Sequence, residues 1–465
     1  MGSILEDITR PAKGWMAKGR EPLSASLFKQ RHRFSITGLS RSGKSMLFTS
    51  LMTMLRYRCE QQYNCLPLLH YLPPEQVESM HVEPLQGYTM FPIEEHLEAL
   101  AHQRWPAPTE QLYGFKLVVR LRQTKGIRSW VFSHSTVVFE FVDYPGEWVT
   151  DFPMLSKSFT QWSDSAWAQQ LSEPQLGFAQ QWHDFVRGFD FEQAPSNELI
   201  SELVAAYRKY LVSAKQAGIS MLQPGSLLLE SSGFDWQQSG FTPLPAKVSS
   251  DPSNPWTEIF QRHYQAFLKD WLQPLKSNSF QASDKQIILV DLFAGLNHSK
   301  QHLYQLKETL SHLADTFVYG NPGWFSKNIL RRNAQGRVAF VGTKMDLLPP
   351  SQRQNMLSLL EQVTEGARAH FTGKNVNFEH FLVSAIQATD PGATDECLRY
   401  MNSSRQYMEA CFEPIPARLE AMANDEHFPV LEAQVPDDFL PRILNGRGLD
   451  RLFQFLLSQE TSNGR

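Results

Sequence analysis

Short apolar runs alternate with stretches of helical periodicity along much of the chain. The run at Phe34–Thr37 predicts a strand that ends at Gly38, and apolar residues at helical spacing follow from Lys44 to about Tyr63. Later runs at Ile287–Val290 and Val338–Val341 end at an Asp or a Gly, and each precedes another helical stretch. Because strands that alternate with helices usually form parallel sheets, the pattern predicts an α/β fold with a mostly parallel sheet.

Three more strands complete the predicted sheet. The segments Phe115–Leu121 and Ser135–Val142 flank a turn at Lys125-Gly126, and they predict a hairpin whose second strand is largely buried. Phe378–Val383 predicts the last strand, which brings the predicted sheet to six strands. Residues 64–108 are rich in Pro and His, and they predict a long excursion rather than a single regular element.

The segment between the hairpin and the later strands predicts a helical insertion. From about Phe152 to Ser279 the periodicity is mostly helical, most clearly at Leu199–Leu211 and Trp256–Leu275. The chain has 465 residues, and one domain usually spans roughly 100–200 residues. We therefore predict an arm at 1–30, the first part of an α/β domain at 31–151, a helical insertion at 152–280, the second part of the α/β domain at 281–390, and a C-terminal segment at 391–465 that packs on the core.

The composition excludes several classes of protein. A hydrophobic content of 42% allows a buried core, and a net charge of −4 provides no overall field that would attract a nucleic acid. No segment reaches the roughly 18 apolar residues of a membrane span, and the N-terminus resembles no secretion signal. The four cysteines form no CxxC pair, which fits a reducing compartment. We expect a cytoplasmic protein without a nucleic-acid partner, and nothing in the sequence supports a peripheral membrane contact.

The loop after the first strand carries the sequence GLSRSGKS, which fits the pattern G-x-x-x-x-G-K-[ST] at every fixed position. In this pattern the glycines let backbone N–H groups surround a phosphate, and the following helix adds its dipole. Lys44 would bridge two phosphates, and the hydroxyl of Ser45 would ligate Mg²⁺. The residues of this loop predicted to bind nucleotide are Gly38, Ser40, Arg41, Ser42, Gly43, Lys44, Ser45 and Met46.

Two carboxylates compete for the metal side of the predicted site, because Asp143 and Asp291 each follow an apolar strand. Only Asp143 continues as DYPG, a D-x-x-G arrangement in which the carboxylate holds a water of Mg²⁺ and the N–H of Gly146 meets the γ-phosphate. This arrangement favours a nucleotide-dependent switch protein over a general ATPase. For Asp291, the simpler interpretation is a strand-end residue that begins a helix.

A second motif follows a later apolar strand and addresses the base. The sequence TKMD, from Thr343 to Asp346, fits the pattern [N/T]-K-x-D. A carboxylate at Asp346 can accept from both the N1–H and the amino group of guanine, a donor pair that adenine lacks, while the stem of Lys344 covers the ring. After the last predicted strand, a backbone N–H at Ser384 or Ala385 could donate to the O6 atom of guanine.

Candidate residues for the hydrolysis step surround these motifs. Thr109 precedes the second strand, where a Thr can reach Mg²⁺ and the γ-phosphate, but an unusually long loop separates it from Ser45. Glu147 follows Gly146, at the position where Ras-type proteins carry a Gln that orients water, and Arg41 is the nearest candidate for an arginine finger. A carboxylate adds negative charge beside the phosphate, so the sequence predicts slow hydrolysis.

The phosphate loop, the run DYPGEW (Asp143–Trp148) and TKMD together resemble the YcjX-like family of bacterial P-loop proteins. The resemblance covers nearly the whole chain, including the closing run NGRGLD (Asn445–Asp450). It implies a Ras-like P-loop G domain with a large helical insertion, GTP binding and hydrolysis, and an association with bacterial stress response. It names no partner.

We therefore expect a switch that binds GTP or GDP with Mg²⁺ and acts on a protein effector or regulator that the sequence does not identify. Two alternatives stay open. The first is an ATPase or kinase-like enzyme that uses Asp291 as its metal acid. The second is a nucleotide-gated interaction protein with negligible hydrolysis.

Overall fold

The computed structural model describes residues 31–39, 41–60, 76–108, 111–122, 134–219, 221–229, 233–275, 283, 285–318, 336–371, 376–423, 426, 428 and 431–458. These residues form a seven-stranded sheet and a separate three-stranded sheet. The strands of the large sheet are β1 (Arg31–Gly38), β2 (Val77–Pro84), β3 (Tyr113–Arg122), β4 (His134–Asp143), β5 (Lys285–Val290), β6 (Gly336–Gly342) and β7 (Val376–Leu382). The small sheet consists of β8 (Thr389–Pro391), β9 (Cys397–Met401) and β10 (Tyr407–Cys411).

The order of strands in the large sheet is β2-β3-β4-β1-β5-β6-β7. The five strands from β4 to β7 in this order run parallel, whereas β2 and β3 are antiparallel to their neighbours. The mostly parallel α/β sheet predicted from the sequence is therefore confirmed. The predicted number of six strands is wrong, because β2 adds a seventh at the edge, within the segment interpreted as an excursion.

Helices occupy most of the remaining described chain. The first group is α1 (Lys44–Glu60), α2 (Ile93–Ala101), α3 (Gly146–Val149), α4 (Phe159–Gln170), α5 (Leu176–Gly188), α6 (Asn197–Gln216) and α7 (Pro255–Ala266). The second group is α8 (Leu292–His298), α9 (Lys300–Val318), α10 (Arg353–Val363), α11 (Glu365–Phe371), α12 (Phe439–Leu444) and α13 (Leu449–Leu457). Single helical turns lie at Trp236–Ser239 and Ala246–Ser249, and α7 continues as a π-helical segment at Phe267–Leu272. None of the helices in the described ranges is long and apolar enough to cross a membrane.

Two hydrophobic cores lie on opposite faces of the large sheet. In β5, Ile287 and Leu289 belong to one core, and Ile288 and Val290 belong to the other. This alternation follows from the two-residue period of side chains along a strand. Since both faces of β5 and β6 are buried, their sequences contain the continuous apolar runs IILV and VAFV.

The helical stretch between β4 and β5 packs on one of these faces. Its fully buried tryptophans Trp162, Trp182 and Trp256 belong to the same core as Ile288 and Val290 of the sheet. Helices begin at serine caps in two places, Ser158 before α4 and Ser196 before α6. The described part of residues 146–275 contains helices and loops but no strand, as the periodicity predicted. The predicted domain limits stay predictions.

The C-terminal part of the chain returns to the other face of the sheet. The last helix, α13, buries Leu452 and Leu456 completely in the core that contains Phe34 of β1. The small sheet carries a disulfide between Cys397 and Cys411, which are paired across β9 and β10. The sequence did not predict this disulfide.

Candidate nucleotide-binding site

The carboxyl ends of the parallel strands meet at one edge of the sheet. β1 lies between β4 and β5 and is parallel to both, with Ile36 opposite Asp143 on one side and Ile287 on the other. The loops after β1, β4, β5 and β6 therefore emerge side by side. In parallel α/β sheets, this edge is where ligands bind.

Lys44 begins α1 and is folded over the loop that precedes it. Its Nζ atom donates to the carbonyl oxygens of Gly38 at 2.8 Å and Leu39 at 3.0 Å. Burial lowers the pKa of the Lys44 ammonium, while the charges of Asp143 and Glu147 act in the opposite direction. A cation is thus enclosed by the loop and lies close to two carboxylates.

The shape of the loop fits a phosphate cradle. Gly43 has a φ of +87°, which a residue with a side chain rarely adopts. A Cβ atom on Gly38 would lie 2.5 Å from the Oγ of Ser42 and 2.7 Å from the carbonyl oxygen of Leu289. The buried hydroxyls of Ser42 and Thr343 have no hydrogen-bond partner among the described residues. Buried donors of this kind call for a ligand or a water, and phosphate oxygens would satisfy them.

The remaining residues of the loop that were predicted to bind nucleotide differ in their exposure to solvent. Ser45 and Met46 lie half-buried in the first turn of α1, and Arg41 is exposed with a φ of +63°. Ser40 and Thr109 lie outside the described residues. The prediction that Thr109 ligates the metal is therefore not addressed by the structure.

Asp143 ends β4 and is fully buried beside the phosphate loop. The N–H of Tyr144, the next residue, donates to the carbonyl oxygen of Ile36 in β1 at 3.3 Å. This bond ties the D-x-x-G segment to the strand that leads into the loop. Gly146 then begins the short helix α3, so Asp143 and Gly146 flank a turn at the same edge.

Glu147, in α3, makes an ion pair that the sequence did not predict. Its carboxylate lies 2.7 Å from the Nζ of Lys215, which is in the last turn of α6, and its side chain is 6% exposed. Burial would raise the pKa of Glu147, but the positive charges of Lys44 and Lys215 hold it below its ordinary value. Glu147 is therefore ionised at neutral pH.

The residues after α3 are fastened to a loop of the helical stretch. Asp151 is fully buried and accepts from the N–H of Gly225 at 2.6 Å and from the N–H and Oγ of Ser226 at 3.0 and 2.7 Å. Nearby, Gln223 donates to the carbonyl oxygen of Thr150 at 2.6 Å. Burial raises the pKa of Asp151 to about 7. We call these contacts between residues 147–151 and the loop 222–226 the clasp.

The TKMD motif follows β6 and lies next to the phosphate loop. The side chain of Thr343 is adjacent to Gly43, where an added Cβ would lie 3.6 Å from the Cβ of Thr343. The carboxylate of Asp346 accepts from the N–H of Ala388 at 3.1 Å, and burial raises the pKa of Asp346 to about 6. The start of the motif therefore packs against the phosphate loop.

The loop after β7 is braced by the NGRGLD segment. The N–H of Ser384 donates to the carbonyl oxygen of Arg447 at 3.0 Å, and the N–H of Arg447 donates back to Ser384 at the same distance. A Cβ on Gly448, whose φ is +85°, would lie 2.4 Å from the carbonyl oxygen of Leu382. Since the amide of Ser384 is engaged in this bridge, Ala385 is the better candidate donor to a base.

Asp291 occupies the helix-capping role that the sequence favoured for it. Its Oδ1 atom accepts from the N–H groups of Phe293 and Ala294 at 3.1 and 3.4 Å. Its Oδ2 atom accepts from Lys344 at 2.6 Å. Both oxygens of Asp291 are thus bound by protein groups.

A cavity of about 450 Å³ adjoins the outer side of the phosphate loop. It is lined by residues from several segments of the chain, including Arg41, Ser42, Asp291, Lys344, Gln216 and Gly218. The end of α6 therefore faces the phosphate loop across this cavity. Sequence reasoning missed this approach, because no local signal distinguishes Lys215 from Arg208 and Lys209, the other cations of α6.

The fold and this edge of the sheet define an α/β protein with a mostly parallel sheet, consistent with a P-loop domain. A model of the YcjX-like family, DUF463, matches residues 32–460, and the chain belongs to this family. The chain is similar to the Ras-like GTPase YcjX of Escherichia coli (strain K12), with 27% identity over 380 residues that cover 78% of this chain and 80% of the relative. It is also similar to the Ras-like GTPase YcjX of Shewanella oneidensis, with 25% identity over 388 residues that cover 78% of each chain. The family resemblance predicted from the sequence is confirmed.

Proposed function

We propose that this protein is a Mg²⁺-dependent GTPase with a Ras-like P-loop domain, into which the helices between β4 and β5 are inserted. The observation that carries the proposal is the meeting of Gly38–Ser45, Asp143–Gly146 and Thr343–Asp346 at one edge of the sheet. A nucleotide at that edge would meet phosphate-binding amides, a metal-facing carboxylate and a carboxylate suited to guanine. The names of the two relatives support the same function.

The residues divide among the tasks of binding and hydrolysis. Lys44 would exchange its two carbonyl partners for phosphate oxygens. Ser45 would ligate Mg²⁺ directly, with Thr109 as a second hydroxyl, and Asp143 would hold a water of the metal. Mg²⁺, when bound, supplies positive charge that stabilises the phosphate oxygens as the terminal phosphate leaves. Gly146 would donate its N–H to the γ-phosphate.

Base selection would rest on the residues after β6 and β7. Asp346 would accept from both donors of guanine, the stem of Lys344 would cover the ring, and Ala385 would donate to O6. The ATPase alternative requires Asp291 to face the metal. The capping bonds and the ion pair that occupy Asp291 weigh against that alternative.

The proposed output is a nucleotide-dependent change in the helical stretch. Glu147, Thr150 and Asp151 follow Gly146 directly and bind that stretch through Lys215 and the loop 222–226. Contacts that a γ-phosphate makes with Gly146 would therefore bias the positions of these helices. Cytoplasmic location stays a prediction from the sequence, and a role in stress response stays an implication of the family resemblance.

A nucleotide titration tests the proposal. GTP and GDP should bind the purified protein with Mg²⁺, and ATP should bind at least about a hundredfold more weakly, because a site built to pair with a donor group rejects a base that lacks it. XTP, which lacks the amino group of guanine, should also bind more weakly than GTP. Preferential binding of ATP would contradict the assignment and favour the ATPase alternative.

A further inference from the structure

One cation from the helical stretch lies inside the proposed hydrolysis site. Lys215 is in the last turn of α6, with its Nζ atom 2.7 Å from a carboxylate oxygen of Glu147. The following residues, Gln216 to Gly218, line the cavity that Arg41 and Ser42 of the phosphate loop also line. The C-terminal end of α6 therefore contacts α3 and faces the phosphate loop across this cavity.

Glu147 poses an electrostatic problem for the hydrolysis of a nucleotide. It follows Gly146, whose N–H is proposed to bind the γ-phosphate, so its carboxylate lies close to a group that already carries negative charge. Only 6% of its side chain is exposed, so water screens its charge weakly. An unpaired carboxylate in this position would repel both the γ-phosphate and the transition state.

Lys215 offsets this charge from within the same chain. Its side chain is one-quarter exposed, and its ammonium is the donor in the ion pair with Glu147. Its charge also acts on Lys44. Lys215, Glu147, Lys44 and Asp143 therefore form one cluster of charges. A lysine in the last turn of a helix is favoured there by the negative end of the helix dipole.

We propose that Lys215 is a positioning residue for GTP hydrolysis, because it neutralises Glu147 and fixes its carboxylate to accept a hydrogen bond from the attacking water. This inference rests on the GTPase function proposed above. The water oxygen forms a bond to the γ-phosphorus, and the bond between that phosphorus and the β–γ bridging oxygen breaks, which releases GDP. The proton of the water passes to an oxygen of the γ-phosphate, and Glu147 keeps its charge. In other GTPases, an arginine from the same chain or from a partner supplies the cation of the site.

The ratio of the affinities for GTP and GDP distinguishes this role from a purely structural ion pair. Without Lys215, the charge of Glu147 is offset less, although Lys44 still acts on it, and it should repel the γ-phosphate, which GTP has and GDP lacks. A structural ion pair would affect both nucleotides equally. Neutralising Glu147 as well should remove the repulsion, so the double variant should recover the wild-type ratio.

The experiment compares Lys215→Met, Lys215→Arg, Glu147→Gln and the double variant Lys215→Met/Glu147→Gln with the wild type. Lys209→Met is the matched control, since Lys209 is exposed on the same helix. Affinities for Mg²⁺-GTP and Mg²⁺-GDP and single-turnover hydrolysis are measured, and thermal unfolding reports the integrity of the fold. For Lys215→Met we expect GDP affinity to be retained, GTP affinity to fall about tenfold or more, and hydrolysis to slow by about tenfold to a thousandfold. Lys215→Arg and Lys209→Met should stay near the wild type, and the double variant should recover the GTP-to-GDP ratio.

Several outcomes would overturn the proposal. One is a folded Lys215→Met variant with the wild-type ratio and rate. Another is an equal loss of affinity for GTP and for GDP in Lys215→Met that the added Glu147→Gln change does not reverse. If Lys215→Met fails to fold, the double variant leaves no unpaired buried charge and takes its place, and a wild-type hydrolysis rate in that variant would contradict the role. Failure of the wild type to bind either guanine nucleotide would instead refute the GTPase function itself.

Discussion

The Nζ atom of Lys344 lies 2.6 Å from the Oδ2 atom of Asp291, so the lysine proposed to cover the base is held by the residue that caps α8. The backbone of Lys344 has a φ of +62°, in the left-handed region that is uncommon for a residue with a side chain. The ion pair and the backbone conformation together set the direction of the Lys344 stem. One carboxylate thus organises both the start of a helix and the proposed base site.

Asp291→Asn should separate these two tasks of the residue. Asparagine is as good a helix cap as aspartate, but it cannot form the ion pair with Lys344. We expect a stable protein whose GTP affinity falls by about tenfold, the equivalent of ~1.4 kcal/mol, because the stem of Lys344 is less well placed. The dependence of binding on Mg²⁺, measured by titration of the metal at fixed GTP, should not change. A loss of that dependence would identify Asp291 as the metal acid and favour an ATPase.

Lys44→Ala and Ser45→Ala should each remove tight binding of Mg²⁺-nucleotide and leave the fold intact. The cradle lies at the edge of a preformed sheet, so its chemistry is separable from the core. Equilibrium binding of a fluorescent GDP analogue measures the loss, and far-UV circular dichroism checks the fold. Arg56→Ala, at an exposed position of the same helix, is the control and should bind normally. Wild-type affinity in either folded cradle variant would exclude this loop as the site.

The phosphate loop and its strand could be predicted from sequence because their signals are local. GLSRSGKS fixes a turn and a helix start, and the buried runs of β5 and β6 are apolar throughout because both faces of these strands are covered. The edge strand β2 gave no such signal. None of its residues is fully buried, and its sequence VESMHVEP mixes charged with apolar positions. Its place is set by pairing with β3 rather than by its own pattern.

The ion pair between Glu147 and Lys215 could not be predicted for a different reason. The periodicity of α6 indicates which face is apolar, but not how far along the sheet the helix reaches. That distance depends on how the helices between β4 and β5 pack together, including the contact of Trp148 in α3 with Trp271 at 5.1 Å between ring centroids. The sequence predicts Arg41 as the nearest candidate for an arginine finger, whereas it gives no signal for Lys215, which forms the ion pair with Glu147.

Asp346→Asn should change the base preference from guanine towards xanthine. The new amide can donate to the C2 oxygen of XTP, whereas it can no longer accept from both donors of GTP. Competition binding with GTP, XTP and ATP measures the change. If Asp346→Asn lost affinity for ATP as much as for GTP and gained none for XTP, the result would point to the ATPase alternative.

Guanine affinity should also depend on pH through the same residue. Burial raises the pKa of Asp346 to about 6, and the guanine donors require the ionised carboxylate. Affinity for GDP should therefore be constant above about pH 7 and should fall by up to about tenfold for each unit below about pH 6. The stability of the ligand-free protein changes in the opposite direction, because a raised carboxyl pKa contributes stability that is lost as pH rises from about 4 to about 6. Residual GDP binding by Asp346→Asn should lack this pH step, and its persistence there would assign the step to another group.

Arg41→Ala should leave single-turnover hydrolysis within about threefold of the wild type. Arg41 is exposed, and the cation that contacts Glu147 is Lys215, so removing Arg41 should not expose the charge of Glu147. The comparison requires saturating GTP, because Arg41 lines the cavity beside the loop and its loss can alter affinity. A rate loss near the 10³–10⁵ range of an arginine finger would show that Arg41 reaches the γ-phosphate.

The clasp predicts how the helical stretch responds to the nucleotide. Asp151 accepts three hydrogen bonds from Gly225 and Ser226, so a movement of residues 147–151 on loss of the γ-phosphate must shift or break them. Amide hydrogen exchange over 152–280 should therefore differ between the GDP state and the state with a non-hydrolysable GTP analogue, most strongly at Gly225 and Ser226. Asp151→Ala removes the acceptor and should make exchange at these two amides fast in both states. Asp151→Asn keeps one acceptor oxygen and should retain part of the difference. Identical exchange over 152–280 in the two nucleotide states of the wild type would show that the helices do not report the nucleotide, because the clasp is the most direct bonded route from Gly146 to the loop of the helical stretch.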